Sequence, residues 1–141
     1  MREVLSDALA IYQGHKAALS TTSAVTGKVD TNGAQNMLAI LNAGLCSGAS
    51  LVVKLQHTGL STNLTDEAAG SWADVASGAF ATITAANDNA LYVGEAKAEG
   101  LKRFVRLKAI NASGSAVFST EIVLGLPKST PLAVNVPVFS V

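Results

Sequence analysis

The alternation that decides the fold lies in residues 51–58, which read Leu-Val-Val-Lys-Leu-Gln-His-Thr. Leu51, Val53 and Leu55 alternate there with Val, Lys and Gln, and this period of two places one set of side chains in a core and the other towards water. The same period returns in residues 117–124, which read Val-Phe-Ser-Thr-Glu-Ile-Val-Leu and end before Gly125. Both segments therefore predict β-strands.

Turn signals divide the rest of the chain into pieces of strand length. They lie at residues 31–33 (Thr-Asn-Gly), 47–48 (Ser-Gly), 61–63 (Ser-Thr-Asn), 87–89 (Asn-Asp-Asn) and 113–115 (Ser-Gly-Ser). Residues 80–85 and 91–96 flank the Asn-Asp-Asn turn and are rich in strand-forming residues, which predicts a hairpin. Strands at such short spacing predict an all-β fold, a jelly-roll-like antiparallel β-sandwich with extended N- and C-terminal arms.

Two stretches leave the choice between helix and extended chain open. Residues 37–41 form an apolar run that fits a buried strand or, together with Ala34 and Leu45, the face of a helix, and the neighbouring strands favour the strand. Near the N-terminus, residues 5, 8, 9 and 12 have helical spacing, whereas the Ser/Thr-rich residues 20–25 fit an extended arm equally well. We therefore divide the chain into an N-terminal arm or first strand (1–28), a β-sandwich (29–126) and an extended C-terminal arm (127–141).

The C-terminal segment combines features that conflict within a single domain. All three prolines lie in it, and proline is not found in central strands because it cannot donate a ladder hydrogen bond. The segment is nevertheless too apolar for a free tail. We therefore expect it to contact a neighbouring subunit or another surface through Leu132, Val134, Val136, Val138 and Phe139.

Composition narrows the class of partner. The chain has 141 residues, is 49% hydrophobic and carries ten basic and ten acidic residues, so its net charge gives no general attraction to nucleic acid or to a membrane surface. With only 14% charged residues, we expect some apolar surface to meet another chain. Cys46 is the single cysteine, which fits synthesis in a reducing cytoplasm and a buried thiol, and we expect neither a signal peptide nor a membrane span.

The residue types that most often act in catalysis are not arranged as a catalytic site in this sequence. His15 and His57 lie in different segments, without Cys, Asp or Glu at ligand spacing, and no phosphate-binding or calcium-binding motif is present in the sequence. Trp72 fits a plug at one end of the sandwich, against residues 51–55, better than it fits a platform for a sugar ring. We therefore expect no enzyme activity, no metal and no cofactor.

The segment from Leu101 to Ile110 holds a cluster of positive charge. As a strand, it places Lys102, Phe104, Arg106, Lys108 and Ile110 on one face, with Val105 and Leu107 on the other. This face fits either a solvated surface or a docking surface for an acidic protein. The docking candidates are Lys102, Phe104, Arg106 and Lys108.

Several motifs together resemble a known family. They are Leu-Ser-Asp-Ala-Leu-Ala-Ile near the start, Val-Asp-Thr-Asn-Gly at 29–33, residues 51–58, Ser-Trp-Ala-Asp-Val at 71–75, Leu-Lys-Arg-Phe-Val-Arg-Leu at 101–107 and Val-Leu-Gly-Leu-Pro-Lys-Ser-Thr-Pro at 123–131. In this layout the chain resembles the small capsid cement, or decoration, proteins of tailed bacteriophages.

The resemblance implies a structural protein on the outer capsid surface of the virion, bound to the major capsid protein and stabilising contacts between its subunits. It fits a homo-oligomer, a dimer in preference to a trimer. The alternative is a phage tail, neck or adhesion β-module that binds a host glycan or another virion protein.

Overall fold

The structure is a computed structural model that describes residues 9–20, 23–59 and 72–125, and in residues 9–20 the only side chain described is that of Tyr12. Strands dominate these residues because alternating apolar side chains pack well on a pleated surface. A single 3-10 turn at Ala98–Gly100 interrupts them. The strands are β1 (Leu9–Ser20), β2 (Ser23–Val25), β3 (Val29–Asp30), β4 (Asn36–Ser47), β5 (Leu51–Thr58), β6 (Ala73–Ala79), β7 (Ala90–Lys97), β8 (Phe104–Asn111) and β9 (Ser115–Gly125).

The strands form two antiparallel sheets. The four-stranded sheet has the order β1-β9-β4-β7; the five-stranded sheet has the order β2-β8-β5-β6, and β3 also pairs with β8. Pairing runs from the ends of the chain inwards, β1 with β9, β2 and β3 with β8, β4 with β7 and β5 with β6. Folding this ribbon over brings β4 beside β9 and β5 beside β8, which is the jelly-roll arrangement.

The predicted antiparallel jelly-roll sandwich is therefore confirmed. Within residues 1–28, β1 and β2 belong to the sheets. The C-terminal arm predicted for residues 127–141 lies outside the described residues.

The core lies between the two sheets and follows the alternation read from the sequence. Leu51, Val53 and Leu55 of β5 are buried, and their neighbours at 52 and 54 are half-buried. Residues 37–41 belong to β4, so strand is correct and the helix face is wrong; Leu45 is 65% exposed. The fully buried side chains with the largest volume are Met37, Leu41, Leu51, Ile83, Leu107, Ile122, Leu124, Val53, Val105, Thr120 and Cys46.

Two Ser-Gly turns carry the chain from one sheet to the other at the same end of the sandwich. Gly48 lies between β4 and β5, and Gly114 lies between β8 and β9; both have positive φ, +60° and +61°. The turns touch, because the Ser113 hydroxyl donates to the Gly48 carbonyl oxygen at 2.8 Å. Asn111 joins them as well, since its side chain accepts from Ser50 N at 3.2 Å and donates to the Gly114 carbonyl at 3.2 Å.

The hairpin predicted around the Asn-Asp-Asn turn is wrong. Residues 91–96 lie in β7, which pairs with β4, and in residues 80–85 only Ile83 makes a bridge, to Leu51. The physical reason is that residues 80–89 cross from the five-stranded to the four-stranded sheet. Asn87 stabilises this crossing, because its side chain accepts from Thr84 N at 2.7 Å and donates to the Thr82 carbonyl at 3.0 Å.

Candidate interaction surfaces

The charged segment predicted as a docking surface lies on the outer face of the five-stranded sheet. The predicted alternation is correct: Val105 and Leu107 of β8 are in the core, and Phe104, Arg106 and Lys108 lie on the opposite face. The strand begins at Phe104, so Lys102 precedes it and is exposed. These residues are therefore adjacent, but they do not have the same access to solvent.

Arg106 is buried, contrary to the expectation that it is a surface charge. Arg106 is only 4% exposed, because the ring of Trp72 covers its guanidinium. The guanidinium carbon lies 4.4 Å from the ring centroid. Arg106 Nε also donates to Gln56 Oε1 at 2.9 Å. Arginine stacks on aromatic faces in this way, and the contact stabilises the chain itself. Arg106 therefore contacts residues of its own chain and is not the exposed charge that the sequence predicted.

The position of Trp72 is also a correction. It does not plug the end of the sandwich against residues 51–55; it lies on the outer face of the sheet, immediately before β6. Its indole Nε1 is buried, and the described residues provide no hydrogen-bond partner for it. One face of the indole is occupied by Arg106, so that face cannot receive a sugar ring.

The other three docking candidates differ in their exposure to solvent. Phe104 is buried, and two cations flank its ring, Lys28 Nζ at 5.6 Å and the Arg103 guanidinium at 5.1 Å from the centroid. Lys108 is half-buried. Lys102 is the most accessible of the four predicted residues.

A polar network extends this face towards β6. The Asp74 carboxylate accepts from Lys54 Nζ at 2.6 Å and from Gln56 Nε2 at 2.8 Å. The hydrogen bond from Lys54, followed by that from Gln56, lowers the pKa of Asp74 below its ordinary value. Since Gln56 also accepts from Arg106, these four side chains form one connected hydrogen-bond network.

His57 lies near the end of β5, in register with Val105 and on the side of the strand that carries Val53 and Leu55. Its Nδ1 accepts from the backbone N–H of Lys102 at 3.2 Å. Burial, and secondarily the positive charge of Lys102, lower the pKa of His57 from its ordinary value. Because its acceptor nitrogen is already used within the chain, His57 has a structural role, joining the end of β5 to the segment before β8.

The four-stranded sheet presents a different surface. Its outward-facing positions include four exposed apolar residues, which with the half-buried Leu38, Ile40 and Val123 we call the outer apolar face. Sheet register places Val93, Ile40 and Glu121 in one row across β7, β4 and β9. The four exposed members are Leu45 (65%), Leu91 (54%), Val93 (52%) and Val117 (49%).

The sequence indicated that such a surface exists but not where it lies. Low charge predicted apolar contact with another chain, but outer residues such as Ile40 and Val123 lie between equally apolar core residues, so the sequence does not separate the two faces there. The predicted arm residues Leu132, Val134, Val136, Val138 and Phe139 lie outside the described residues.

Two further properties concern the described part of the chain. No helix there has the length and apolar character needed to cross a bilayer. Its described side chains include no group of three or more His, Cys, Asp or Glu residues that could hold a metal ion.

Comparison with known proteins gives a fold relationship. No protein-family model and no curated protein sequence matches the chain. The chain is similar in structure to the PBSX exported protein XepA, with a TM-score of 0.58 and 15% identity over 89% of this chain. It spans 43% of the length of that protein. At this identity the likeness shows a shared β-sandwich fold.

Weaker similarities extend to two other structures. A structure of the infectious bursal disease virus Gx strain has a TM-score of 0.46 and 13% identity, covering 87% of this chain and 33% of that one. A structure of Bacillus endospore appendages, described as disulfide-linked pili, has a TM-score of 0.42 and 10% identity, covering 86% of this chain and 90% of that one.

Proposed function

We propose that this protein is a structural component of a virion, a capsid cement or decoration protein that binds the outer surface of a phage head. The observation that carries the proposal is the outer apolar face of the four-stranded sheet. Contiguous exposed apolar surface marks sites of protein contact, because its burial removes apolar area from water. The resemblance of the sequence to phage cement proteins supplies the identity of the partner, the major capsid protein.

The charge pattern around this face suits a protein partner. Glu95 and Glu121 are exposed on the same side as Val93, and Glu121 lies on the inner strand β9, so charged residues are interspersed with apolar ones. Such a surface combines apolar contact with charged groups that select a complementary partner. A homo-oligomer that grips several capsid subunits gains avidity of about 10² to 10⁴ over one contact.

We also propose that the protein is not an enzyme. The described histidine and cysteine side chains have roles within the fold: His57 accepts a backbone hydrogen bond, and Cys46 is buried. A protein that reinforces a shell requires only shape and contact surface.

The alternative, a tail, neck or adhesion module that binds a host glycan, receives less support. A glycan site depends on an accessible aromatic face with planar polar groups beside it. One face of the Trp72 ring is stacked on Arg106. The adjoining Asp74 and Gln56 form hydrogen bonds with residues of the same sheet.

The proposal is tested by co-sedimentation with undecorated phage heads assembled from the major capsid protein of the same phage. We expect the double variant Leu45→Asp/Val117→Asp to lose binding, and the control Lys102→Ser/Lys108→Ser to keep it. Each variant is first checked for an unchanged melting temperature. If the wild-type protein does not sediment with heads, the capsid proposal is wrong; if only the lysine variant loses binding, docking takes place through the other face.

A further inference from the structure

The free edge of β7 is an unusual feature of the four-stranded sheet. Its eight residues pair with β4 in uninterrupted register, from Asn36↔Lys97 to Ala43↔Ala90. Among the described residues no strand pairs with its other side. A long regular edge invites another strand, and proteins usually protect it with a bulge, a proline or several charges. Residues 90–97 contain no proline, and their charges are limited to Glu95 and Lys97.

A cleft of about 230 Å³ lies directly beside this edge, between β6 and β7. Core side chains line its inner part, among them Met37, Leu55 and Leu107. Small residues keep it open on the β7 side, since a Cβ on Gly94 would lie 3.4 Å from the Phe80 ring. Glu95 is the only charged residue in its lining, so an occupant must be apolar.

We propose that residues 132–138 of a neighbouring copy of this chain add to the free edge of β7 as a further strand and fill the cleft. Leu132, Val134, Val136 and Val138 alternate with a period of two, so in a strand they share one face. That face matches the apolar cleft, and main-chain hydrogen bonds to β7 complete the contact, as in strand addition to exposed sheet edges. The inference concerns contacts between copies and holds whether or not the assembly sits on a capsid.

The prolines of the segment are compatible with this position. Residues 132–136 contain none, and Pro137 follows them. An added strand becomes the new edge of the sheet, so one of its sides faces solvent. A proline is tolerated there because its missing N–H leaves no ladder hydrogen bond unmade.

The reach of the chain permits either copy, and the loop at the end of the sheet favours a neighbouring one. Gly125 pairs with Asn36, and Asn36 pairs with Lys97, so β9 and β7 end at the same level of the sheet. Gly125 and Lys97 are two strand spacings apart, or about 10 Å. Residues 126–131 span about 20 Å when extended. Gln35 N donates to the Gly125 carbonyl at 2.9 Å and Ala98 N to the Gln35 carbonyl at 2.9 Å, so the end of the sheet between β9 and β7 is covered by a loop. A path to the chain's own β7 has to run around this loop, whereas a path to a neighbour leads away from it.

Disulfide cross-linking of full-length proteins tests the inference. Val93 is on the outer face of β7, and Asn135 is out of phase with the cleft-filling residues, so cysteines at these positions do not disturb the cleft. Val93→Cys protein and Asn135→Cys protein are mixed and oxidised, and the linked peptides are identified by mass spectrometry. Ala133→Cys serves as a second tail position in case the register is shifted by two residues. The native Cys46 is buried and remains in place.

We expect a mixed disulfide dimer with Asn135→Cys or Ala133→Cys. The matched control is Val117→Cys, which is 49% exposed against 52% for Val93 but lies on β9, away from the free edge. It should give at least about tenfold less mixed dimer, because disulfides require Cβ atoms within about 4.5 Å. The inference is overturned if the mixtures give no Val93-specific dimer. It is also overturned if the double variant Val93→Cys/Asn135→Cys closes only an intramolecular disulfide in a monomer.

Discussion

Replacement of Gly114 by alanine tests how closely the two Ser-Gly turns are packed. A Cβ at this position would lie 2.2 Å from the Ser47 carbonyl oxygen and 2.4 Å from the Gly48 carbonyl carbon. Both are backbone atoms, so no side-chain rotation relieves the collision. We expect Gly114→Ala to force apart the turns that join β4 to β5 and β8 to β9.

The size of the effect follows from two separable costs. At φ of +61°, an alanine pays about 1–2 kcal/mol for the left-handed conformation. The collision adds about 1–3 kcal/mol, the usual cost of overpacking. Gly33→Ala is the matched control, because Gly33 has φ of +84° but nothing within 4 Å of the added Cβ. It carries the first cost alone.

Thermal unfolding followed by circular dichroism measures the difference. At about 4 °C per kcal/mol for a domain of this size, Gly33→Ala lowers Tm by about 4–8 °C and Gly114→Ala by about 8–20 °C. The variant Gly48→Ala should resemble the control, since its nearest contact is Gly114 Cα at 4.0 Å. If Gly114→Ala and Gly33→Ala lower Tm equally, the close approach of the turns is refuted.

Three other residues give further tests. Arg106→Ala should lower the free energy of unfolding by about 2–3 kcal/mol in urea titrations, because it leaves Gln56 Oε1 without the Arg106 donor. The control Lys102→Ala should change the free energy of unfolding by less than about 0.5 kcal/mol. Equal effects of the two substitutions would contradict the burial of Arg106. Because the pKa of His57 is lowered in the folded protein, the unfolded chain binds a proton at higher pH than the folded chain does. The free energy of unfolding should therefore fall as the pH is lowered from 7 to 5. The variant His57→Gln should show a weaker dependence of the free energy of unfolding on pH. Burial, and then the charge of Asp88, raise the pKa of Cys46, so its thiol should react with a maleimide at neutral pH only after unfolding, and rapid labelling of the folded protein would contradict this.

The strands that the sequence predicted well are those with one apolar and one polar face. In residues 51–58 the core positions alternate with polar ones, and a period of two is then unambiguous. Residues 37–41 were ambiguous because both faces of β4 are apolar, with Met37 in the core and Ile40 on the outer apolar face. Local pattern does not reveal which of two apolar faces is covered.

The errors arose where contacts distant in sequence decide the outcome. Residues 80–85 have strand composition, but the crossing between sheets and the side-chain bonds of Asn87 keep all but Ile83 out of a ladder. Arg106 has the spacing of a surface charge, and Trp72, 34 positions earlier in the sequence, buries it. Sequence spacing assigns a residue to a face; only the fold determines what covers that face.

The contrast between the two outer faces supports docking through the four-stranded sheet. On the five-stranded sheet, Lys54, Asp74, Gln56 and Arg106 are joined by hydrogen bonds, and Arg106 is covered by Trp72. Docking there would require these satisfied groups to give up partners or to be desolvated, which costs more than exposed apolar surface does. The apolar members of the outer apolar face carry no such cost, because burying them removes apolar area from water; the charged residues among them that need partners are Glu95 and Glu121. Strand addition at β7 would extend the same four-stranded sheet beyond its free edge, so contacts between copies would lie next to contacts with a shell.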